Sequence, residues 1–409
     1  MSIRAATRCC GLVLGVSLSL PLAAQPTPVQ GQPVPAPAPA TPSAPEKPLY
    51  AEAWKRNIDS TGRLRLTFGA AVVVTTGTAT PVQAWRMNDG ELAWTIEDAR
   101  DAVGAAAGDG MIFVVAAGRL LALDDSTGRI HWEVKIAPDG AGPAWTTGGG
   151  VIVPDGDSIR ALRITDGGQV WAQDVGAAAS APPFVAGNRV IVPLKSSAVV
   201  ALDLATGGEL WRAPTGTVPG PIKASAGRLF LVTANGTICA FRETDGRSGW
   251  DYPTHMPAIG SVEVDANHVY AALIDNTIRA YDARSGNDRW RTPLDARPVD
   301  GPTLLANRLV VGLTSGEILT LDPANGKGKQ VVNPAITGAA ALAGTRLESV
   351  VSDPTATNVF ALTWANDRSY TLIKMTATKT PQTARDLAPR RSPARSGGTA
   401  SGMTTRPSG

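Results

Sequence analysis

The chain has very little cysteine for a protein whose N-terminus resembles an export signal. Only three of its 409 residues are cysteine, and Cys9 and Cys10 fall inside the predicted leader, so Cys239 alone would remain after processing. A single cysteine cannot form an intrachain disulfide, and Cys239 in the apolar run TICAF is expected to be a small buried residue. The folded part must therefore be stabilised by its core rather than by cross-links.

A long hydrophobic run is also absent. Residues 1–24 are predicted to be a signal peptide, with Arg4 and Arg8 at the basic end, the apolar stretch CGLVLGVSLSLPL, and small residues before Gln25. The apolar stretch is shorter than a membrane-spanning helix needs, which favours a cleaved leader over the alternative of an uncleaved anchor. The segment TRCC lacks the Leu-small-small-Cys form of a lipoprotein leader. We therefore expect an exported, periplasmic protein.

Charged residues are few, at 18% of the chain, and aromatic residues make up only 5%. Basic residues concentrate near the C-terminus and leave a mildly acidic body, which argues against nucleic-acid binding. Residues 25–48 contain nine prolines and are predicted to be an extended linker. Residues 377–409 are predicted to be a disordered basic tail, either simply solvated or in peripheral contact with anionic membrane lipids. The folded part is then 49–376.

The sequence does contain a strong internal repeat. Tryptophan recurs every 38 to 40 residues. These residues are Trp54, Trp94, Trp132, Trp171, Trp211, Trp250 and Trp290, and the eighth position carries Gln330. From the second copy onward a glycine stands four residues before this position, with a short polar residue directly before the glycine. An alanine, or Thr320 in the last copy, stands ten residues before it, so three offsets persist through seven copies.

Each repeat divides into four short apolar runs separated by turn residues, as in APPFVA, RVIVPL, AVVALDL and ELW within residues 181–211. No segment shows a sustained helical period, and four strands in this length are typical of a propeller blade. Because blades stack face to face, both faces of each sheet should be buried. The glycine should allow the turn into the fourth strand, and the tryptophan should cover the joint with the next blade. The repeat tryptophans are therefore predicted to be structural.

The two ends of the repeat region complement each other. Trp54 in AEAWKRNI matches a fourth strand with no first three strands before it, whereas LESVVS, NVFALTW and SYTLIKM give three strands with no fourth. An N-terminal strand that completes the last blade would hide both sheet edges. The sequence therefore predicts an all-β, eight-bladed β-propeller of four-stranded antiparallel blades, closed by its N-terminal strand.

The repeat, as in ALDLATGGELW, ALDDSTGRIHW and AYDARSGNDRW, resembles the tryptophan-docking repeat of the pyrroloquinoline-quinone β-propellers. Two groups carry that repeat: the quinoprotein alcohol dehydrogenases, and the outer-membrane protein assembly factor BamB family. Eight blades, closure by an N-terminal strand and a last repeat without tryptophan are similar to the second group. That resemblance implies a non-enzymatic scaffold for protein–protein interaction, with components of the β-barrel assembly machinery as partners.

The chain departs from both groups. The dehydrogenases use an adjacent-cysteine disulfide and a calcium site, but the only Cys-Cys pair here lies in the predicted leader. His131, His255 and His268 have no metal-ligand spacing, and Asp155 and Asp157 fit a hairpin turn. We therefore expect no enzyme activity and no cofactor, with a quinoprotein-like module as the alternative. BamB relatives dock through a Leu-x-Leu-Arg segment, which AQDVGAAASAPP and RAPTGTVPGPIKAS lack.

Function in a propeller usually lies on the loops at one rim. The connection APDGAGPAWTTGG carries Trp145 outside the repeat register, and DYPTHMPAIG carries Tyr252, His255 and Met256. Trp145, Tyr252 and His255 are the predicted partner contacts, because exposed aromatic residues often anchor protein interfaces. For Trp145, packing onto its own blade is the alternative. The predicted function is an envelope scaffold that presents rigid loops to a protein partner.

Overall fold

A computed structural model describes residues 50–60, 62–138, 141–146, 149–305, 307–328, 330–332, 346–355, 357–365 and 369–377. These residues fall in the compact unit Lys47–Gly409. The predicted leader, linker and basic tail lie outside the described residues, except that the last strand, Ser369–Ala377, includes the first residue of the predicted tail. In the described ranges the secondary structure is entirely β, and no helix there is long and apolar enough to cross a membrane.

The strands form eight four-stranded antiparallel sheets, each of which is one blade of a propeller. The innermost strands of blades 1 to 8 are β2 (Leu64–Phe68), β6 (Gly104–Gly108), β10 (Ala144–Thr146), β14 (Phe184–Ala186), β18 (Lys223–Ser225), β22 (Ala258–Val264), β26 (Thr303–Leu305) and β30 (Arg346–Ser352). The second strands are β3 (Val72–Gly77), β7 (Met111–Ala116), β11 (Gly150–Asp155), β15 (Arg189–Leu194), β19 (Arg228–Val232), β23 (His268–Leu273), β27 (Arg308–Gly312) and β31 (Asn358–Ala365).

The outer half of each blade consists of its third and fourth strands. The third strands are β4 (Val82–Arg86), β8 (Arg119–Asp124), β12 (Ser158–Arg163), β16 (Ala198–Asp203), β20 (Thr237–Arg242), β24 (Thr277–Asp282), β28 (Ile318–Leu321) and β32 (Ser369–Ala377). The outermost strands are β5 (Leu92–Ile96), β9 (Ile130–Lys135), β13 (Gln169–Asp174), β17 (Glu209–Pro214), β21 (Ser248–Pro253), β25 (Asp288–Pro293), β29 (Gln330–Val332) and, for blade 8, β1 (Tyr50–Asp59).

Blade 8 joins the two ends of the folded region. Strand β1 pairs antiparallel with β32 along its whole length, from Tyr50 opposite Ala377 to Asp59 opposite Ser369. The sheet order β1-β32-β31-β30 places the N-terminal strand at the outer edge. The predicted eight-bladed all-β propeller, closed by its N-terminal strand, is confirmed.

The core is divided among the joints between blades. Buried side chains form eight clusters, and each cluster combines residues of two neighbouring blades. In strand β15, for example, Val190 packs towards blade 3 and Ile191 towards blade 5. Successive residues of a strand point to opposite faces, so both faces of a blade are buried. This explains why the second and third strands are nearly continuous apolar runs.

Each repeat tryptophan crosses a joint to the turn between the third and fourth strands of the next blade. Its indole N–H donates to a backbone carbonyl of that turn, as in Trp171 to Leu204 at 2.8 Å. The other six acceptors are Met87, Asp125, Ile164, Glu243, Ala283 and Pro323. The ring lies on the glycine of the same turn, as in Trp171 on Gly207. The tryptophans therefore connect the blades in series, including Trp54 of blade 8 to blade 1.

The turn that receives the tryptophan is built by its own side chains. In all seven copies the short polar residue accepts the backbone N–H of the residue two positions later, for example Asp166 from Gly168 at 2.8 Å. The intervening glycine has a positive φ, as in Gly207 at 75°. Hydroxyl bonds from Ser126 and Thr127 hold the pKa of the Asp124 carboxyl, which precedes one such turn, well below its usual range.

Cys239 lies in strand β20 with 2% of its surface exposed, and it is the free cysteine among the described residues. Burial raises the pKa of its thiol, and the nearby Asp251 carboxylate acts in the same direction. The thiol is therefore a small core side chain at the joint of blades 4 and 5, as the sequence indicated.

Candidate protein-binding face

Antiparallel connection gives the propeller two faces. We call the side that carries the turns between second and third strands, and the connections from one blade to the next, the loop face. The other side, with the turns between first and second and between third and fourth strands, is the turn face. In blades 4 to 7, a hydrogen bond joins the turn between the second and third strands to the connection that leads into the same blade. The N–H groups of Lys195, Ala234, Ile274 and Thr314 donate to the carbonyls of Ala178, Val218, Pro257 and Arg297.

Trp145 is not on an open loop, and this corrects its predicted placement. It lies in the middle of β10, the innermost strand of blade 3, paired with Val151. The half-buried ring packs against Gly108 of blade 2, where an added Cβ would overlap it. Its indole N–H is buried without a hydrogen-bond partner among the described residues. A three-residue strand is too short for a periodic signal, so the sequence showed no strand here.

Tyr252 also belongs to a strand, the outermost strand β21 of blade 5. Its hydroxyl donates to the Asp288 carboxylate of blade 6 at 2.8 Å, and this bond raises the pKa of the phenol. Its ring lies 4.7 Å from that of Tyr281. Tyr252 and Trp145 therefore sit on different blades and in different layers, so they do not form one surface.

His255 is an exposed residue of the connection that follows β21, with a φ of 58°. Thr254 beside it is buried, and its hydroxyl donates to the Gly236 carbonyl at 2.8 Å and accepts the Met256 N–H at 3.2 Å. These bonds fasten the connection to the second turn of blade 5. His255 and Met256 are therefore presented by a defined backbone.

Sequence reasoning missed two neighbours of this connection. The exposed fraction is 37% for both Val218 and Ile274, and 36% for Met256. The Ile274 N–H donates to Pro257, directly after Met256, and the carbonyl of Val218 accepts from the turn that packs on Met256. We call Val218, Met256 and Ile274 the loop-face patch. The repeat could have revealed Ile274, because an isoleucine stands there at a turn position that is held by Lys195, Ala234 and Thr314 in other blades.

The charge around the patch is partly compensated. Asp275 follows Ile274, and its carboxylate accepts from Arg279 at 2.8 Å and from Arg291 at 3.1 Å. Burial opposes ionisation of Asp275, but the bonds from Thr277 and Arg279 outweigh it and lower the pKa. Arg297 lines a shallow depression of about 390 Å³ beside Ile274. The patch is thus apolar with a cationic margin, a combination common in protein interfaces.

Replacing Trp145 with Ala is expected to destabilise the propeller. The ring fills the space beside Gly108, and its removal should lower the free energy of unfolding by about 2–4 kcal/mol, at or below the range for core Trp→Ala changes. Urea unfolding measures this, with Trp364→Ala as a control for a partly buried tryptophan at another joint. Unchanged stability together with loss of partner capture would instead establish Trp145 as a partner anchor.

Metal ligation finds no support in the described ranges, where no group of three or more His, Cys, Asp or Glu side chains could hold a metal ion. His131 lies on strand β9, 3.9 Å from Asp124, and His268 starts β23, 3.4 Å from Asp265. Asp155 bonds Ala137 and Arg160 at the turn between β11 and β12. The contacts of these histidine and aspartate side chains are with neighbouring strand and turn residues.

Comparison with known proteins gives a consistent family assignment. A family model described as outer membrane protein assembly factor BamB matches residues 50–140, 116–195 and 195–407. Outer membrane protein assembly factor BamB of Yersinia pestis is 28% identical over 188 residues, 41% of this chain and 48% of that protein. The chain thus spans half or less of the length of the curated relatives it matches.

Two solved structures share the fold. The crystal structure of BamB from Moraxella catarrhalis superposes with a TM-score of 0.62 at 18% identity, over 80% of this chain and 99% of that one. A quinohemoprotein alcohol dehydrogenase from Pseudomonas putida HK5 gives 0.61 at 15% identity, over 86% and 78%. At these identities the likeness concerns the fold alone. Since the family model matches most of the chain, this protein belongs to the outer membrane protein assembly factor BamB family.

Proposed function

We propose that this protein is a non-enzymatic scaffold of the bacterial envelope that binds a protein partner through its loop face. The observation that carries the proposal is the loop-face patch. Three exposed apolar side chains lie on successive loop-face segments of blades 5 and 6, and hydrogen bonds fix the backbone of these segments. A rigid apolar patch loses little conformational entropy when a partner covers it, which favours recognition without chemistry.

The family suggests the class of partner. Relatives are named as outer membrane protein assembly factors, so we propose that the partner is a component of the machinery that assembles β-barrel proteins. The protein would then be periplasmic and close to the outer membrane, as the export leader in its sequence also suggests. Tyr252 and His255, which precede Met256 in the same stretch of sequence, are proposed to contribute to the same contact. Because the Leu-x-Leu-Arg segment is absent, the patch would replace it as the docking element.

A charge-reversal experiment tests this proposal. The double variant M256D/I274D places two carboxylates in the patch, and we expect it to reduce crosslinking of the native protein to barrel-assembly components in intact cells at least tenfold. The loss follows because charges desolvated at an apolar contact are unfavourable. The matched control is V170D/L210D, which alters two even more exposed aliphatic residues on the outermost strands of blades 3 and 4. Affinity capture and mass spectrometry quantify both.

Three results would contradict the proposal in different ways. Equal loss in V170D/L210D would show that the patch is not the contact. Recovery of another envelope protein, lost in M256D/I274D alone, would keep the patch as a binding site but reject the assembly partner. Wild-type protein that crosslinks to no envelope protein would reject the scaffold role.

A further inference from the structure

A second candidate site lies on the turn face, at the joint of blades 5 and 6. It is a cavity of about 530 Å³ between the turns of the two blades, within the volume range of small-molecule sites. Its floor consists of buried apolar groups, Phe230 and Ala240 of blade 5 and Ala283 of blade 6. Because it is on the opposite face from the loop-face patch, it is independent of the proposed function.

Four arginines line this cavity, and no carboxylate does: Arg228, Arg242, Arg247 and Arg284. The carboxylate of Asp245, outside the lining, binds Arg242 at 3.0 Å and Arg247 at 3.5 Å. Arg228 and Arg284 form no ion pair with any residue in the described part of the chain. The cavity therefore holds an excess of positive charge beside an apolar floor.

The preceding joint shows how the same position is neutralised elsewhere. Arg189 begins strand β15 of blade 4, as Arg228 begins β19 of blade 5. Asp203 lies directly opposite Arg189 across the strand pair, and Glu243 of the next blade approaches it to 3.9 Å. Two carboxylates thus lie near this arginine. The bond from the Thr206 hydroxyl chiefly lowers the pKa of Asp203, and Arg189 acts in the same direction.

At the joint of blades 5 and 6 both carboxylates are replaced. The residue opposite Arg228 is Arg242, in the place of Asp203. The residue of the next blade that corresponds to Glu243, and that likewise accepts the docking tryptophan's N–H, is Ala283. Like charges opposite each other on a strand pair are destabilising, and although Asp245 compensates Arg242, no described carboxylate forms an ion pair with Arg228.

A glycine opens the cavity to solvent. The residue directly before the docking tryptophan is Val170, Leu210 and Arg289 in blades 3, 4 and 6, but Gly249 in blade 5. An added Cβ at Gly249 would meet nothing closer than 3.4 Å, so the position accepts a side chain. The missing side chain leaves the space above Ala240 free.

We propose that this cavity binds a phosphate group carried by a small uncharged body such as a sugar or glycerol unit. The arginine fork matches phosphate oxygens in a bidentate way, and guanidinium groups are less strongly hydrated than ammonium groups. Arg228 and Arg284 supply the free guanidinium groups, one from each blade. Phe230 and Ala240 supply the apolar floor for the body of the ligand. The phosphate belongs either to a soluble phosphorylated sugar or to a lipid headgroup.

Two substitutions that remove no arginine test the site on the full-length protein. G249L imports the residue of blade 4 and fills the cavity, and A283E imports the glutamate of blade 5 beside Arg228. Calorimetric titration with glucose 6-phosphate, against glucose and sodium sulfate, tests the soluble form. Sedimentation with phosphatidylglycerol vesicles, against phosphatidylcholine vesicles, tests the headgroup. The control variant A205E makes the same Ala→Glu change at an exposed turn-face position of blade 4, away from the cavity.

We expect binding to one of the two phosphate probes, weakened at least tenfold by G249L and by A283E and less than twofold by A205E. Binding to glucose 6-phosphate alone assigns a soluble ligand, and binding to phosphatidylglycerol vesicles alone assigns a headgroup. Unchanged binding in both cavity variants, or binding to neither probe, overturns the proposal. Thermal unfolding checks that the variants fold; if A283E or G249L does not, R228M replaces it, with the same tenfold loss expected.

Discussion

Deleting residues 50–59 is expected to prevent formation of the native propeller. The deletion removes strand β1, and with it Trp54 and Ile58, which are 7% and 1% exposed in the joint of blades 8 and 1. Truncating one large core side chain costs about 2–5 kcal/mol, and the loss of two together with a full strand pairing equals the total stability of many domains, about 5–15 kcal/mol. The protein should lose its near-ultraviolet circular dichroism and its cooperative thermal transition.

A shorter deletion provides the control. Removing residues 26–45 takes away most of the proline-rich segment, which is predicted to be a linker, and should leave the unfolding midpoint unchanged. Addition of a peptide of residues 50–59 to the first variant should restore part of the cooperative transition, because β32 presents an open edge to it. A cooperative transition at the wild-type temperature without β1 would show that blade 8 does not need its fourth strand.

Replacing Gly207 with Ala is expected to destabilise the ring strongly for the addition of a single methyl group. Its φ is 75°, and the new Cβ would lie 2.6 Å from Cε3 of Trp171, so both the backbone and the tryptophan must shift. A non-glycine residue in this region costs about 1–2 kcal/mol, and overpacking adds about 1–3 kcal/mol. Urea unfolding should therefore show a loss of about 2–5 kcal/mol.

Gly216 separates these two contributions. It also has a φ of 75° and lies in the connection after the same blade, but an added Cβ would meet no atom within 4 Å. G216A should therefore lose only the backbone part, about 1–2 kcal/mol. In the background W171A, the loss caused by G207A should fall towards that of G216A. Equal losses in G207A and G216A would mean that the tryptophan does not press on the glycine.

The repeat could be predicted because its signals are local. The glycine and the polar residue before it act within one turn, and each tryptophan docks on the same turn one repeat later, so their offsets persist from copy to copy. Counting them also predicted eight blades and the closure at Trp54, since an unpaired fourth strand needs an unpaired set of three. The placement of Trp145 was wrong for the opposite reason. The innermost strand β10 is held by its neighbours in space, and three residues carry no period.

The two candidate sites depend on distances across blades. Val218 and Met256 come from two connections and Ile274 from a turn, and nothing in their own neighbourhood in sequence shows that they share one face. Arg228 and Ala283 are far apart in the chain, and their meeting follows from the lateral stacking of blades 5 and 6. By itself the sequence determined the blade, its number of copies and its closure, because turn geometry and burial act within each repeat. Only the tertiary structure decided which side chains of neighbouring repeats meet, because that depends on how the blades pack in the ring.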